Sequence, residues 1–123
     1  MPAPDKQPKD QPELLQGTLE VMILRTLSRA PNHGYGIARS IELASGKALT
    51  IEEGSLYPAL YRLEKRGDLA SDWGTTDANR KAKFYTLTPR GQDKLKEQVA
   101  LWERLSTAVH RVLAGEPNPE RAQ

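Results

Sequence analysis

Leu14, Leu15, Leu19, Met22, Ile23 and Leu27 recur at spacings of three and four. That rhythm puts them on one face of an amphipathic helix over residues 14–29, which Ala30-Pro31-Asn32 stops. A second, shorter helix is expected over residues 35–44, with Tyr35, Ile37, Ala38, Ile41 and Ala44 on one side and Ser45-Gly46 closing it. Thr50-Ile51-Glu52-Glu53 has the spacing of a capping box, in which the Thr oxygen and the Glu carboxylate satisfy free backbone amides, so a third helix should start there and run to Arg66, ended by Gly67. Pro58 lacks an amide proton and its ring presses on the carbonyl of Gly54. Either this helix kinks between Gly54 and Pro58, or it begins at Ser55 and holds Pro58 in its first turn.

Beyond Gly67 the pattern predicts a hairpin, with strands over residues 69–73 and 83–87 and a tip over residues 74–81. A very short strand at residues 48–50 is expected to pair with it. Thr88-Pro89 is an N-cap followed by proline at the first helical position, and from there a helix continues without a breaker to Ala114, before Gly115. At 1.5 Å per residue it would be roughly 39 Å long, more than a small body can cover, so something else must bury it. The fold class is mostly α with a small β-hairpin: a winged helix-turn-helix domain plus a long C-terminal dimerisation helix. Residues 1–13, rich in proline and charge, read as a disordered arm. Residues 14–88 form the winged-helix domain, 89–115 the dimerisation helix, and 116–123 a flexible tail.

Charge sharpens this picture. Residues 62–90 carry a net +3, residues 1–61 a net −1 and residues 91–123 none, so the whole +2 of the chain comes from one segment. Local basic clustering is the electrostatic footprint of a nucleic-acid face, although ordinary solvated charges would give the same count. The 123 residues suit one domain with a long appended helix. The absence of cysteine excludes a disulfide framework, thiolate zinc sites and cysteine nucleophiles, and fits a reducing cytosol, hence a cytoplasmic protein. The best apolar window, residues 19–27, is interrupted by Glu20 and Arg25 and falls far short of a bilayer span; the N-terminus lacks the apolar run of a signal peptide. His33 and His110 are the only histidines and lie on separate elements, and there is no glycine-rich phosphate loop or nucleophile elbow. Catalysis, a metal site and a cofactor are therefore not expected.

Several runs resemble the PadR-type (phenolic acid decarboxylase regulator) transcriptional regulators. They are Leu15-Gln16-Gly17-Thr18-Leu19, His33-Gly34-Tyr35-Gly36-Ile37, the stretch Glu53-Gly54-Ser55-Leu56-Tyr57-Pro58-Ala59-Leu60-Tyr61-Arg62-Leu63-Glu64, Gly67-Asp68-Leu69, Trp73-Gly74, Arg80-Lys81-Ala82-Lys83-Phe84-Tyr85-Thr86-Leu87-Thr88, and Gly91. The resemblance covers about residues 14–113 and is to the shorter branch, with one C-terminal helix. It implies a homodimeric winged-helix repressor that binds a double-stranded DNA operator and is frequently released by a small-molecule effector or stress signal. Gly36 and Asp68 depart from the pattern, standing where many relatives carry bulkier apolar residues.

In a helix-turn-helix the second helix of the pair enters the major groove. Ser55, Tyr57, Pro58, Tyr61, Arg62 and Lys65 are expected on its outer side, with Leu56, Leu60 and Leu63 inward. Arg62 could fork onto guanine and Pro58 could touch a thymine methyl. Tyr57 and Tyr61 are equally consistent with half-buried rings whose hydroxyls sit at the rim. Asn79, Arg80, Lys81 and Lys83 of the wing are assigned to phosphate or minor-groove contact. His33 is either a phosphate contact beside a helix terminus or a turn-capping residue, and Tyr35 is expected in the core.

On the long helix Leu95, Trp102 and Val109 recur every seven residues, Leu105 and Val112 form a second column, and Val99 and Leu113 a third. So wide a stripe reads as a dimer seam. Trp102 is either a packing anchor against the partner or one wall of an apolar ligand site between subunits. The alternative to DNA binding is a winged-helix module used for protein contact.

Overall fold

The computed structural model describes residues 16–115. Leu14, Leu15, the expected arm and the expected tail lie outside the described residues. The order is α1 (Gln16–Leu27), β1 (Asn32–His33), α2 (Gly34–Ala44), α3 (Glu53–Lys65), β2 (Leu69–Thr75), β3 (Lys81–Leu87) and α4 (Pro89–Leu113). Of the periodic apolar residues of α1, Leu19, Ile23 and Leu27, joined by Leu24, meet Ile37, Ala38 and Ile41 of α2 and Leu56, Ala59, Leu60 and Leu63 of α3 in one core, with Met22 partly buried against it. Leu69, Tyr85 and Leu87 of the sheet and Leu95 of α4 complete it. Each fully buried Leu or Ile stabilises by about 1.5–3 kcal/mol, so this cluster fixes how the three helices cross.

The sheet is antiparallel in the order β1-β3-β2. The hairpin register runs from Leu69↔Leu87 to Thr75↔Lys81, so both strands reach two residues closer to the tip than expected and residues 76–80 make the turn. Inside it the Thr76 N–H donates to the Arg80 carbonyl at 2.8 Å and the Asn79 N–H to the Thr76 carbonyl at 2.9 Å. Asn79 takes φ 60°, a left-handed conformation that asparagine tolerates better than most residues.

The third strand is not residues 48–50. It is Asn32–His33, paired as Asn32↔Tyr85 and His33↔Phe84. The third helix does not start at Thr50 either. Ile51 is buried and its N–H donates to Glu42 Oε2 at 2.8 Å, which draws the segment against α2. The helix begins two residues later, with Glu52 as its N-cap and no side-chain cap bond. It starts neither at Thr50 nor at Ser55, and it runs through Pro58 to Lys65 as one helix. Pro58 has no N–H to donate to the Gly54 carbonyl, and both residues belong to the exposed face.

Three further expectations need correcting. Tyr35 is 70% exposed rather than in the core, because the buried stripe of α2 is Ile37, Ala38 and Ile41, and Ala44 is exposed as well. Leu95 lies in the core of its own chain and not on a free seam. Gly36 is explained by its neighbour: a Cβ there would collide with the Asn32 side chain, whose Oδ1 accepts the His33 N–H at 2.8 Å.

Thr88 caps α4 as its sequence promised, accepting the Gly91 N–H at 3.0 Å. Its hydroxyl also donates to the Gly67 carbonyl at 2.7 Å, and its N–H donates to the Asp68 carbonyl at 3.1 Å. One residue thus ties the turn after α3 to the start of α4. Asp68 is 2% exposed, with the Arg90 guanidinium 3.6 Å from its carboxylate.

Candidate nucleic-acid interface

On α3, Leu56, Ala59, Leu60 and Leu63 point inward, so geometry at 100° per residue leaves Gly54, Pro58, Tyr61 and Lys65 along the centre of the outer face. Tyr61 is 64% exposed and the Lys65 ammonium lies 5.7 Å from its ring centroid. Ser55 is exposed on one flank and Tyr57, on the other, lays its ring against Gly34: a Cβ at Gly34 would strike the phenol.

Arg62 is not on the outer stripe. Its Nε donates to Glu20 Oε2 of α1 at 2.9 Å, while Arg66 reaches Glu20 Oε1 at 2.7 Å. One carboxylate therefore holds two guanidinium groups, and Arg62 acts as a strut between α1 and α3. Sequence reasoning missed Glu20 because the pairing spans 42 residues and breaks no local pattern.

Beside the other flank stands the wing. Strand alternation puts Leu69, Ser71, Trp73 and Thr75 on the same sheet face as Lys81, Lys83, Tyr85 and Leu87. The inner end of that face enters the core and its middle meets α3. Ser71 Oγ donates to Glu64 Oε2 at 2.5 Å, and Lys83 Nζ lies 3.2 Å from Glu64 Oε1. These partners hold the Glu64 carboxyl below the usual carboxylate range, the Ser71 hydrogen bond contributing most, partial burial opposing it and Lys83 adding to it. Lys83 also sits 5.8 Å from the ring centroid of Tyr85, whose phenol burial pushes above its ordinary value. Lys83 is thus a brace of the wing more than a free cation. Arg80 and Lys81 differ: both are exposed at the tip, and no carboxylate among the described residues forms an ion pair with either. Asn79 is exposed beside them.

His33 is the N-cap of α2, its Nδ1 accepting the Gly36 N–H at 3.2 Å, and its ring packs edge-on to Phe84 with centroids 5.2 Å apart. The turn-capping role is the one its contacts describe. Tyr35, two residues further on, is exposed, and its displacement from the Ile37–Ile41 rhythm was the available signal.

Away from this surface, α4 is anchored through Leu95 and the partly buried Val99. Past Ala100 it leaves the body and exposes Leu101, Trp102, Leu105, Val109, Val112 and Leu113, with Trp102 46% and Val112 78% accessible. A groove of about 480 Å3 lies at the root of this stripe, between the end of α1, β3 and α4, floored by Leu27, Leu87 and Leu95 and rimmed by Arg25 and Glu103. Among the described residues no group of three His, Asp or Glu is placed to hold a metal ion, and no helix is long and apolar enough to cross a membrane.

The model of the transcriptional regulator PadR-like family matches residues 23–97. Among solved structures, a PadR family transcriptional regulator from Eggerthella lenta is 37% identical, with a TM-score of 0.67 over 84% of this chain and 86% of that one. A PadR-like transcriptional regulator from Bacillus cereus is 30% identical, with a TM-score of 0.69 over 82% and 96%. An uncharacterised protein from Lysinibacillus sphaericus is 27% identical over 103 residues, 84% of this chain and 94% of that protein.

Proposed function

Because the chain belongs to the PadR-like family of transcriptional regulators, a family of regulators and not of enzymes, we propose that it is a homodimeric repressor that binds an inverted-repeat operator. The observation that carries this reading is the pairing of an outward stripe on α3, Gly54, Pro58, Tyr61 and Lys65, with the exposed cations Arg80 and Lys81 at the tip of the adjoining wing. The stripe enters the major groove, with Tyr61 and Ser55 offering hydroxyls and Pro58 an apolar edge to bases. Arg80, Lys81 and Asn79 take backbone phosphates, which sets affinity and its dependence on salt. Arg62 braces α3 against Glu20 of α1 instead of reading a base.

Two copies join through the exposed apolar stripe of α4, with Trp102 as the packing anchor. Residues 101–113 of the helix stand clear of the body, and an isolated helix of that length is marginal in water, so a partner helix is what makes it stable. Two-fold pairing sets two copies of α3 at the spacing of half-sites roughly 34 Å apart or a multiple of it. An effector that prefers another subunit angle lowers operator affinity by its differential affinity for the two arrangements. The Thr88 clasp between the end of α3 and the start of α4 is the short lever through which such a tilt reaches the DNA face.

The test is fluorescence anisotropy with the DNA upstream of the chain's own reading frame, set against an unrelated duplex at several salt concentrations. Tighter binding to the upstream DNA, weakening steeply with salt, is expected. Retention of no duplex even in dilute buffer would overturn the reading and leave a winged-helix module for protein contact.

A further inference from the structure

Trp73 is 63% exposed near the end of a strand, an unusual place for an indole that contributes nothing to the core. It stands opposite Lys83 in the hairpin register, on the sheet face that borders α3, and so extends the edge of the recognition surface outward. The Lys81 ammonium lies 5.5 Å from the centre of its ring. Trp73, Gly74, Thr75, Asn79 and Lys81 together bound an open concavity of about 350 Å3 at the wing tip. An apolar ring face, an amide and a cation that forms no ion pair among the described residues therefore converge at one place, with Arg80 beside them.

A DNA strand alternates apolar deoxyribose faces with phosphate charges, and the tip offers the complementary alternation. We propose that Trp73 is a DNA-clamping residue: its indole packs against a deoxyribose where the wing meets the duplex, while Lys81, steered by the ring, takes the adjacent phosphate. This deepens the DNA-binding reading and rests on it. The charge complement is what favours a nucleic-acid strand, since residues 62–90, which hold the wing, carry a net +3. Cation–ring attraction costs Lys81 little when it turns to a phosphate, because the exchange is between two weakly held positions in water. An apolar contact of this kind adds affinity without releasing counterions, which separates it from the lysines and arginine around it.

The chain holds only two tryptophans, Trp73 and Trp102. Full-length protein labelled with 5-fluorotryptophan should give one fluorine resonance for each, assigned with the Trp73→Phe variant. When a mixed-sequence duplex is added at low salt, the Trp73 resonance is expected to move and lose its sensitivity to exchange of H2O for D2O. Trp73→Ala should bind the duplex roughly ten-fold more weakly with the same salt slope, and Trp73→Phe should keep most of the affinity. Duplex binding registered by anisotropy while the Trp73 resonance stays still overturns the clamp and leaves the DNA reading standing, as does unchanged affinity in Trp73→Ala. The same resonance shift with poly-glutamate as with duplex also overturns it, by showing a general polyanion contact. If no duplex binds at all, the DNA reading and the clamp fall together.

Discussion

Glu20 of α1 accepts a hydrogen bond from Arg62 of α3 at 2.9 Å, and this contact makes Arg62 a strut between the two helices. The carboxylate is largely covered while the guanidinium is about one-third accessible, so water screens the pair only in part. Glu20→Ala and Arg62→Ala should each destabilise the fold, and a double-mutant cycle in thermal or urea unfolding should show a coupling of about 1 kcal/mol. Strictly additive effects would mean that the pair is incidental.

The attachment of the wing to α3 should depend on pH through Glu64. Its folded pKa is depressed, chiefly by the Ser71 hydrogen bond and then by Lys83. The sign follows: the stabilisation is complete above the unfolded value of about 4.3 and is lost as pH falls through the lower folded value. Thermal melts of the native chain and Glu64→Gln should therefore differ most near neutrality and converge in acid. A gap that widens as pH falls would contradict the arrangement.

Arg80 and Lys81 should govern salt dependence more than stability. Replacing both with Ala leaves the melting temperature close to that of the native chain and weakens binding to every duplex, with the slope of log affinity against log salt flattened by about one to two units. An unchanged slope would remove the tip from the DNA surface.

Gly91 should be irreplaceable for steric reasons. A Cβ there would run into the Asp68 backbone carbonyl and a Leu87 methyl, just where the turn after α3 meets the start of α4. Gly91→Ala should cost about 1–3 kcal/mol in denaturant unfolding. A neutral substitution would show that α4 can shift freely against the winged domain.

Local chemistry made much of this readable in advance. The apolar rhythm of α1, the Thr88-Pro89 start of α4 and the order of three helices followed by a hairpin rest on contacts within a few residues, and the structure carries them all. What escaped depends on distant partners. Thr50 has the spacing of a capping residue, yet the burial of Ile51 and its bond to Glu42 set the helix start instead. Asn32–His33 becomes a strand only because Tyr85 and Phe84 lie alongside. The periods of α2 and α4 predicted which residues share a face, but not where that face meets the body, so Tyr35 proved exposed and Leu95 buried. Pro58, Tyr61, Lys65, Arg80 and Lys81 are exposed as their chain positions predicted, whereas the tie between Arg62 and Glu20 is visible only in the folded chain.

In the proposed assembly two chains, joined through the exposed stripe of α4, present paired copies of α3 and the wing to one duplex. Sedimentation velocity of the native chain and of Leu105→Asp/Val109→Asp, each alone and with the upstream DNA, tests it most directly. The native chain should sediment as a dimer at micromolar concentration and carry one duplex per two chains, while the double variant sediments as a folded monomer with operator binding sharply weakened. A native chain that sediments as a monomer and leaves the duplex free would contradict the account.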